Sequence, residues 1–145
     1  MSLTEGTDKY LVETLQSVPL FSGLKDKQIK TIVGTGKQLH FDAGNQIVKE
    51  GDSGVGFYLI IDGNAEVRRK GRLLSKLGKG DFFGEMSLLD KQPRSADVVA
   101  TTSVTCFGLT SWAFSGLLRM QPDIAVNLMQ ELTRRLRKTN SAMTE

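Results

Sequence analysis

Over residues 1–36 the apolar positions recur at helical spacing. Tyr10, Leu11, Leu15 and Val18 share one face, and Leu24, Ile29, Ile32 and Val33 share another. Gly34 and Gly36 interrupt that pattern. From Lys37 to Thr110 the period changes to short runs rich in β-branched and aromatic residues, at 38–41, 46–49, 55–61, 65–69, 73–77, 97–100 and 104–109. Most of the glycines fall between Gly44 and Gly84, which suits tight antiparallel connections better than helical crossovers. Lys70-Gly71 is the expected turn of one hairpin. Many short strands joined this way predict a sandwich or a jelly-roll barrel.

Helical spacing returns at Ser111, a candidate N-cap with Phe114, Leu117 and Leu118 on one side of the helix that follows. Met120-Gln121-Pro122 ends it. A longer helix is predicted over 123–140, with Ala125, Leu128, Met129, Leu132 and Leu136 as its packing stripe. The last residues, 139–145, are expected to fray. The organisation is a helical segment 1–36, a β-barrel 37–110 and closing helices 111–145. At 145 residues these make one domain, since the chain is too short for two ordinary cores.

Composition narrows the chemistry. With 39% hydrophobic and 24% charged residues the chain reads as soluble and globular. No apolar run reaches the ~20 residues of a membrane span, and the N-terminus lacks a basic-then-apolar leader pattern, so a cytoplasmic location is expected. The single cysteine, Cys106, lies in a strand-like run and reads as a packed position. The single histidine, His40, reads as a half-buried strand residue, and one imidazole cannot build a histidine-based metal centre. No P-loop or nucleophile-elbow pattern occurs, so a binding module without catalysis is expected, with no metal. The net charge of +3 comes from two cationic clusters: Arg68, Arg69, Lys70, Arg72, Lys76 and Lys79, and then Arg134, Arg135, Arg137 and Lys138. Both read as solvated faces, the first on a hairpin and the second near a helix end. Neither has interleaved aromatics, which argues against single-strand nucleic-acid binding.

The segment 83–96 is the most specific chemistry in the chain. Phe83-Gly84-Glu85-Met86-Ser87-Leu88-Leu89 precedes Pro93-Arg94-Ser95-Ala96. Gly84 lets the backbone approach a ligand, and a helix starting there points free N–H groups at an anion. Arg94 supplies a forked charge that fits phosphate oxygens. Glu85 can accept a hydrogen bond from a ribose hydroxyl. The competing reading of 83–89 alone is a glycine turn into an ordinary helix, with Phe83 and Leu88 as core.

In these residues the chain resembles the cyclic nucleotide-binding domains of catabolite-activator transcription factors and of cAMP-dependent protein kinase regulatory subunits. The likeness runs from about Val18 to Arg137. It includes Pro19-Leu20-Phe21, Gly44, Glu50-Gly51-Asp52, Phe57-Tyr58-Leu59-Ile60, Gly63, Leu77, Gly80-Asp81, Leu109 and Phe114. The resemblance implies a mainly β fold, a jelly-roll-like antiparallel barrel (double-stranded β-helix) with N-terminal helices and C-terminal lid helices. It implies that 83–96 is the phosphate-binding cassette, with Phe83, Gly84, Glu85, Met86, Ser87, Arg94, Ser95 and Ala96 at the ligand and Glu85 on the ribose 2′-hydroxyl. The expected ligand is a cyclic mononucleotide, cAMP by preference; Ser95 also carries a hydroxyl, so cGMP stays open. The alternative is an interaction module that keeps the barrel with another ligand or none. The resemblance further implies that the closing helices signal to an effector protein or domain, or to a second copy in a homodimer. DNA reading would need a helix-turn-helix after the long helix, so no nucleic acid is expected as a partner of this chain alone.

Overall fold

A first helix, α1 (Ser2–Ser17), runs into a 3-10 turn at Pro19–Phe21 and a second helix, α2 (Asp26–Thr35). Strands β1 (Lys37–Phe41), β2 (Gln46–Val48), β3 (Gly56–Asp62), β4 (Ala65–Arg69), β5 (Arg72–Leu77), β6 (Phe82–Phe83), β7 (Asp97–Ala100) and β8 (Val104–Thr110) follow. Helices α3 (Ser111–Met120) and α4 (Pro122–Thr144) close the chain. The computed structural model describes residues 2–48, 56–84 and 96–144.

The apolar run Phe57 to Ile61 explains why β3 is central. A strand that is apolar on both faces must be covered on both. Phe57, Leu59 and Ile61 face one core with the helices, while Ile60 faces a second core with Tyr58 at its margin. Strand β8 divides the same way, Phe107 and Leu109 toward the helices, Val104 and Cys106 toward the second core. The strands form two four-stranded sheets, ordered β1-β8-β3-β6 and β2-β7-β4-β5, and the pairings are antiparallel. The second core lies between them, with Val98 and Ala100 from β7 and Ala65 from β4. This is the mainly β, jelly-roll architecture expected from the strand pattern, with helices on the outer face of the first sheet.

Turn chemistry matches the sequence where it is strongest. Lys70 and Gly71 have φ of 52° and 77°, the left-handed pair that a two-residue hairpin requires. Gly63 is more demanding, because its φ is +97° and an added Cβ would lie 2.2 Å from the Ser103 carbonyl oxygen. Gly63→Ala is expected to cost more than ~2 kcal/mol, joining a left-handed penalty to a backbone clash. Thermal unfolding should show a midpoint lower by on the order of 5–10 °C; an unchanged midpoint would contradict the close approach.

Four expectations are corrected. The N-cap of α3 is Thr110, whose hydroxyl accepts from the Ala113 N–H at 3.2 Å; Ser111 is already helical. His40 is exposed, with its Nε2 3.4 Å from Asp42 Oδ1, because β1 presents that position to solvent. The seam of α4 runs through Ile124 and Leu128, both buried, with Leu132 packed against them. Met129 and Leu136, at 59% and 60% exposed, point away from the core. Finally, Arg135 is half-buried rather than solvated.

The helices are tied to each other as well as to the sheet. The Asn127 side-chain amide donates to the carbonyls of Leu20 and Ser22, each at 3.0 Å, fixing α4 to the 3-10 turn. Gln28 of α2 donates to the Gln121 side chain at 2.6 Å, at the corner between α3 and α4. Phe114 of α3 stacks on Phe57 with centroids 4.4 Å apart and planes 6° apart. Phe82 leans on the same Phe57 ring at 5.5 Å.

Candidate functional site

Two strand ends frame the segment 83–96. Strand β6 belongs to the first sheet and β7 to the second, so the connection between them joins one sheet to the other. Its first described residue after β6 is Gly84, whose φ of +97° is open to glycine and strained for other residues. At the far side, Ala96 is 9% exposed and leads into β7. Glu85, Met86, Ser87, Arg94 and Ser95 lie outside the described residues.

The described ends show what each can contribute. Phe83 is 7% exposed, and its ring stacks on Tyr58 at 5.1 Å inside the second core. Its side chain is therefore committed to packing, and it can offer a ligand its backbone only. Alternation sends the preceding Phe82 to the opposite face, into the helical core. A positive φ at Gly84, directly after so fixed a strand, is a backbone conformation that favours glycine and suits close approach of a ligand.

The closing helix reaches this frame through Arg135, a residue the sequence pattern assigned to a solvated cluster. Its guanidinium carbon lies 4.3 Å over the Phe82 ring centroid, and Nη2 donates to the Phe82 carbonyl oxygen at 3.4 Å, the long end of the range. The signal was present in the spacing: Ile124, Leu128 and Arg135 fall on one helical face at i, i+4 and i+11. A long cation on an apolar face buries its stem and keeps its charge at the rim. Beside it, a cleft of about 500 Å³ opens between the α1–turn junction, the Lys79–Phe82 stretch and α4. Glu131 and Arg134 form an ion pair at its edge. The hydrogen bond from Arg134 holds the Glu131 carboxyl below the ordinary range, with the charges of Arg134 and Arg135 acting in the same direction.

The other candidate chemistry is structural. Cys106 is fully buried, and burial pushes its thiol up to about 12, so it stays protonated and packed at neutral pH. Arg68 is engaged by Glu66 at 2.5 Å and by the Gly71 carbonyl at 3.2 Å, which braces the hairpin turn. Among the described residues no group of three or more metal-ligating side chains occurs, and no helix is long and apolar enough to cross a membrane.

Comparison with known proteins agrees with this geometry. The family model described as "Cyclic nucleotide-binding domain" matches residues 38–121, the barrel and the first closing helix. The chain is 36% identical over 121 residues to a cAMP-dependent protein kinase regulatory subunit of Eremothecium gossypii, covering 83% of this chain and 26% of that protein. It is 30% identical over 138 residues to a CRP-like cAMP-activated global transcriptional regulator of Mycobacterium tuberculosis, covering 92% of this chain and 62% of the relative. The crystal structure of the Thermus thermophilus catabolite activator protein superposes with a TM-score of 0.79 at 34% identity, over 87% of this chain and 62% of that one. The chain thus spans between about a quarter and three fifths of these longer proteins. It belongs to the cyclic nucleotide-binding domain family.

Proposed function

We propose that this domain is a cyclic-nucleotide sensor that prefers cAMP and reports its occupancy by repositioning α3 and α4. The observation that carries the reading is the intact set Gly84, Glu85, Arg94 and Ser95, spaced as in the family and strung between β6 and β7. In this reading Arg94 and the backbone of 84–87 hold the cyclic phosphate, with Ser95 beside them, and Glu85 accepts from the ribose 2′-hydroxyl. Phe83, Met86 and Ala96 complete the cassette by backbone and shape. The names of the kinase subunit and the transcriptional regulator, cAMP-dependent and cAMP-activated, support adenine over guanine. The domain itself carries no catalysis and acts in the cytoplasm through another domain, an effector or a second copy.

The outer edge of α4 favours such a partner. Val126, Met129 and Leu136 are 45%, 59% and 60% exposed and, with Thr133, recur at alternating three- and four-residue steps. That is the spacing of a helix that pairs with another helix.

The test is calorimetry with cAMP, cGMP, 5′-AMP and 2′-deoxy-cAMP. The parent should bind cAMP best and discriminate against the 2′-deoxy analogue. Glu85→Ala should weaken cAMP strongly while barely changing the analogue, because the hydroxyl it serves is absent there. Equal losses for both ligands would make Glu85 a helix-start residue without a ligand role. A ligand at a hundred times its Kd should also add about 2.7 kcal/mol to stability.

A further inference from the structure

Arg135 makes two contacts with one residue: its planar group lies over the Phe82 ring and also donates to the Phe82 carbonyl. Phe82 is 3% exposed and forms half of the two-residue strand β6. Its neighbour Phe83 is locked on Tyr58, and Gly84, with a φ of +97°, follows immediately. The contact therefore joins the fourth turn of α4 to the backbone that leads directly into the cassette. Phe82 also leans on Phe57, on which Phe114 of α3 stacks, so both closing helices meet at one aromatic cluster behind β6.

We infer that Arg135 is a positioning residue for the nucleotide site, coupling the place of α4 to strand β6, from which the cassette departs; this rests on the nucleotide reading above. Arginine suits the task because a planar guanidinium can stack and donate at once, whereas a lysine ammonium is a point charge that does one or the other. Its neighbour Arg134 is a natural control, since it is mostly exposed and engaged by Glu131 instead. With Arg135 removed, β6 loses its brace on the helix side and the site is less preorganised before binding.

The experiment compares Arg135→Ala, Arg135→Lys, Arg134→Ala, Phe82→Leu and the double variant Arg135→Ala/Phe82→Leu in the full chain. Arg135→Ala should weaken cAMP about three- to tenfold, with Arg135→Lys between it and the parent and Arg134→Ala unchanged. The double variant should lose less than the sum of the two single losses, because both remove the stacking of Arg135 on the Phe82 ring. Without ligand, Arg135→Ala should speed amide exchange both in the second half of α4 and at Phe82–Gly84. Identical Kd values for Arg135→Ala and the parent, additive losses, or exchange changes confined to α4 would each overturn the role of Arg135 while leaving the nucleotide site standing. Absence of cAMP binding by the parent would instead remove the nucleotide reading, and the role with it.

Discussion

Arg94→Ala is expected to weaken cAMP binding at least about thirtyfold while leaving the fold unchanged. The size follows from the electrostatics of a desolvated charge pair. Removing one partner of such a pair costs ~2–5 kcal/mol, much of it from leaving the other charge unpaired, and 2 kcal/mol is about thirtyfold in Kd. Arg94→Lys should recover part of the loss, since charge returns without the two-point fork. Calorimetry measures the affinity, and a thermal melt without ligand checks the fold. Equal affinity in Arg94→Ala and the parent would end the phosphate assignment.

The second large effect is on stability. Phe114→Ala is expected to destabilise the protein by ~3–5 kcal/mol, measured by urea denaturation. Phe114 is 1% exposed and makes the flat stack on Phe57, so truncation removes a large buried area and an aromatic pair together. Leu117 shares its helix and the same core, and α3 leads directly into the Gln121 corner that Gln28 holds. A loss under about 1 kcal/mol would mean that the helical core can close around the gap. The same variant should bind cAMP more weakly if α3 helps hold α4 in place.

Much of this was legible in the chain. Period and turn residues separated the β region from its flanking helices, because a strand buried on both faces, such as β3, leaves an unbroken apolar run. Lys70-Gly71 announced its hairpin because few residues take up two successive positive φ values. The residues proposed as the cassette stand in the chain as an ordered set of residue types, which needs no tertiary knowledge to notice. What failed was orientation. A stripe drawn through Ala125, Leu128, Met129, Leu132 and Leu136 shares Leu128 and Leu132 with the true seam, but it omits Ile124, which anchors the first turn, and includes the exposed Met129 and Leu136. A helix this apolar on two edges offers two seams, and only the sheet beneath it decides which is buried. Strand β6 is absent from the runs read by period because two residues show no alternation. Arg135 was missed for a related reason: a cation beside other cations looks solvated until a buried phenyl ring is placed under it.

The buried start of α4 decides how the helix can be removed. Truncation before Asp123 would strip Ile124 and Leu128 out of the core and destabilise the barrel. Ending the chain after Leu132 keeps that anchor and removes Arg135 with the outer half of the helix. A ligand shifts a conformational equilibrium only by its differential affinity for the two states, and ~3 kcal/mol changes their ratio about 150-fold. The helix is a credible output only if it responds to the ligand at all.

Hydrogen exchange with and without saturating cAMP measures that response directly. Protection is predicted in residues 83–96 and, in the same experiment, in α4 beyond Leu128, with the barrel strand β4 unchanged. Protection that stops at Ala100 and leaves α4 exchanging at its ligand-free rate would contradict a sensor and leave a passive binder.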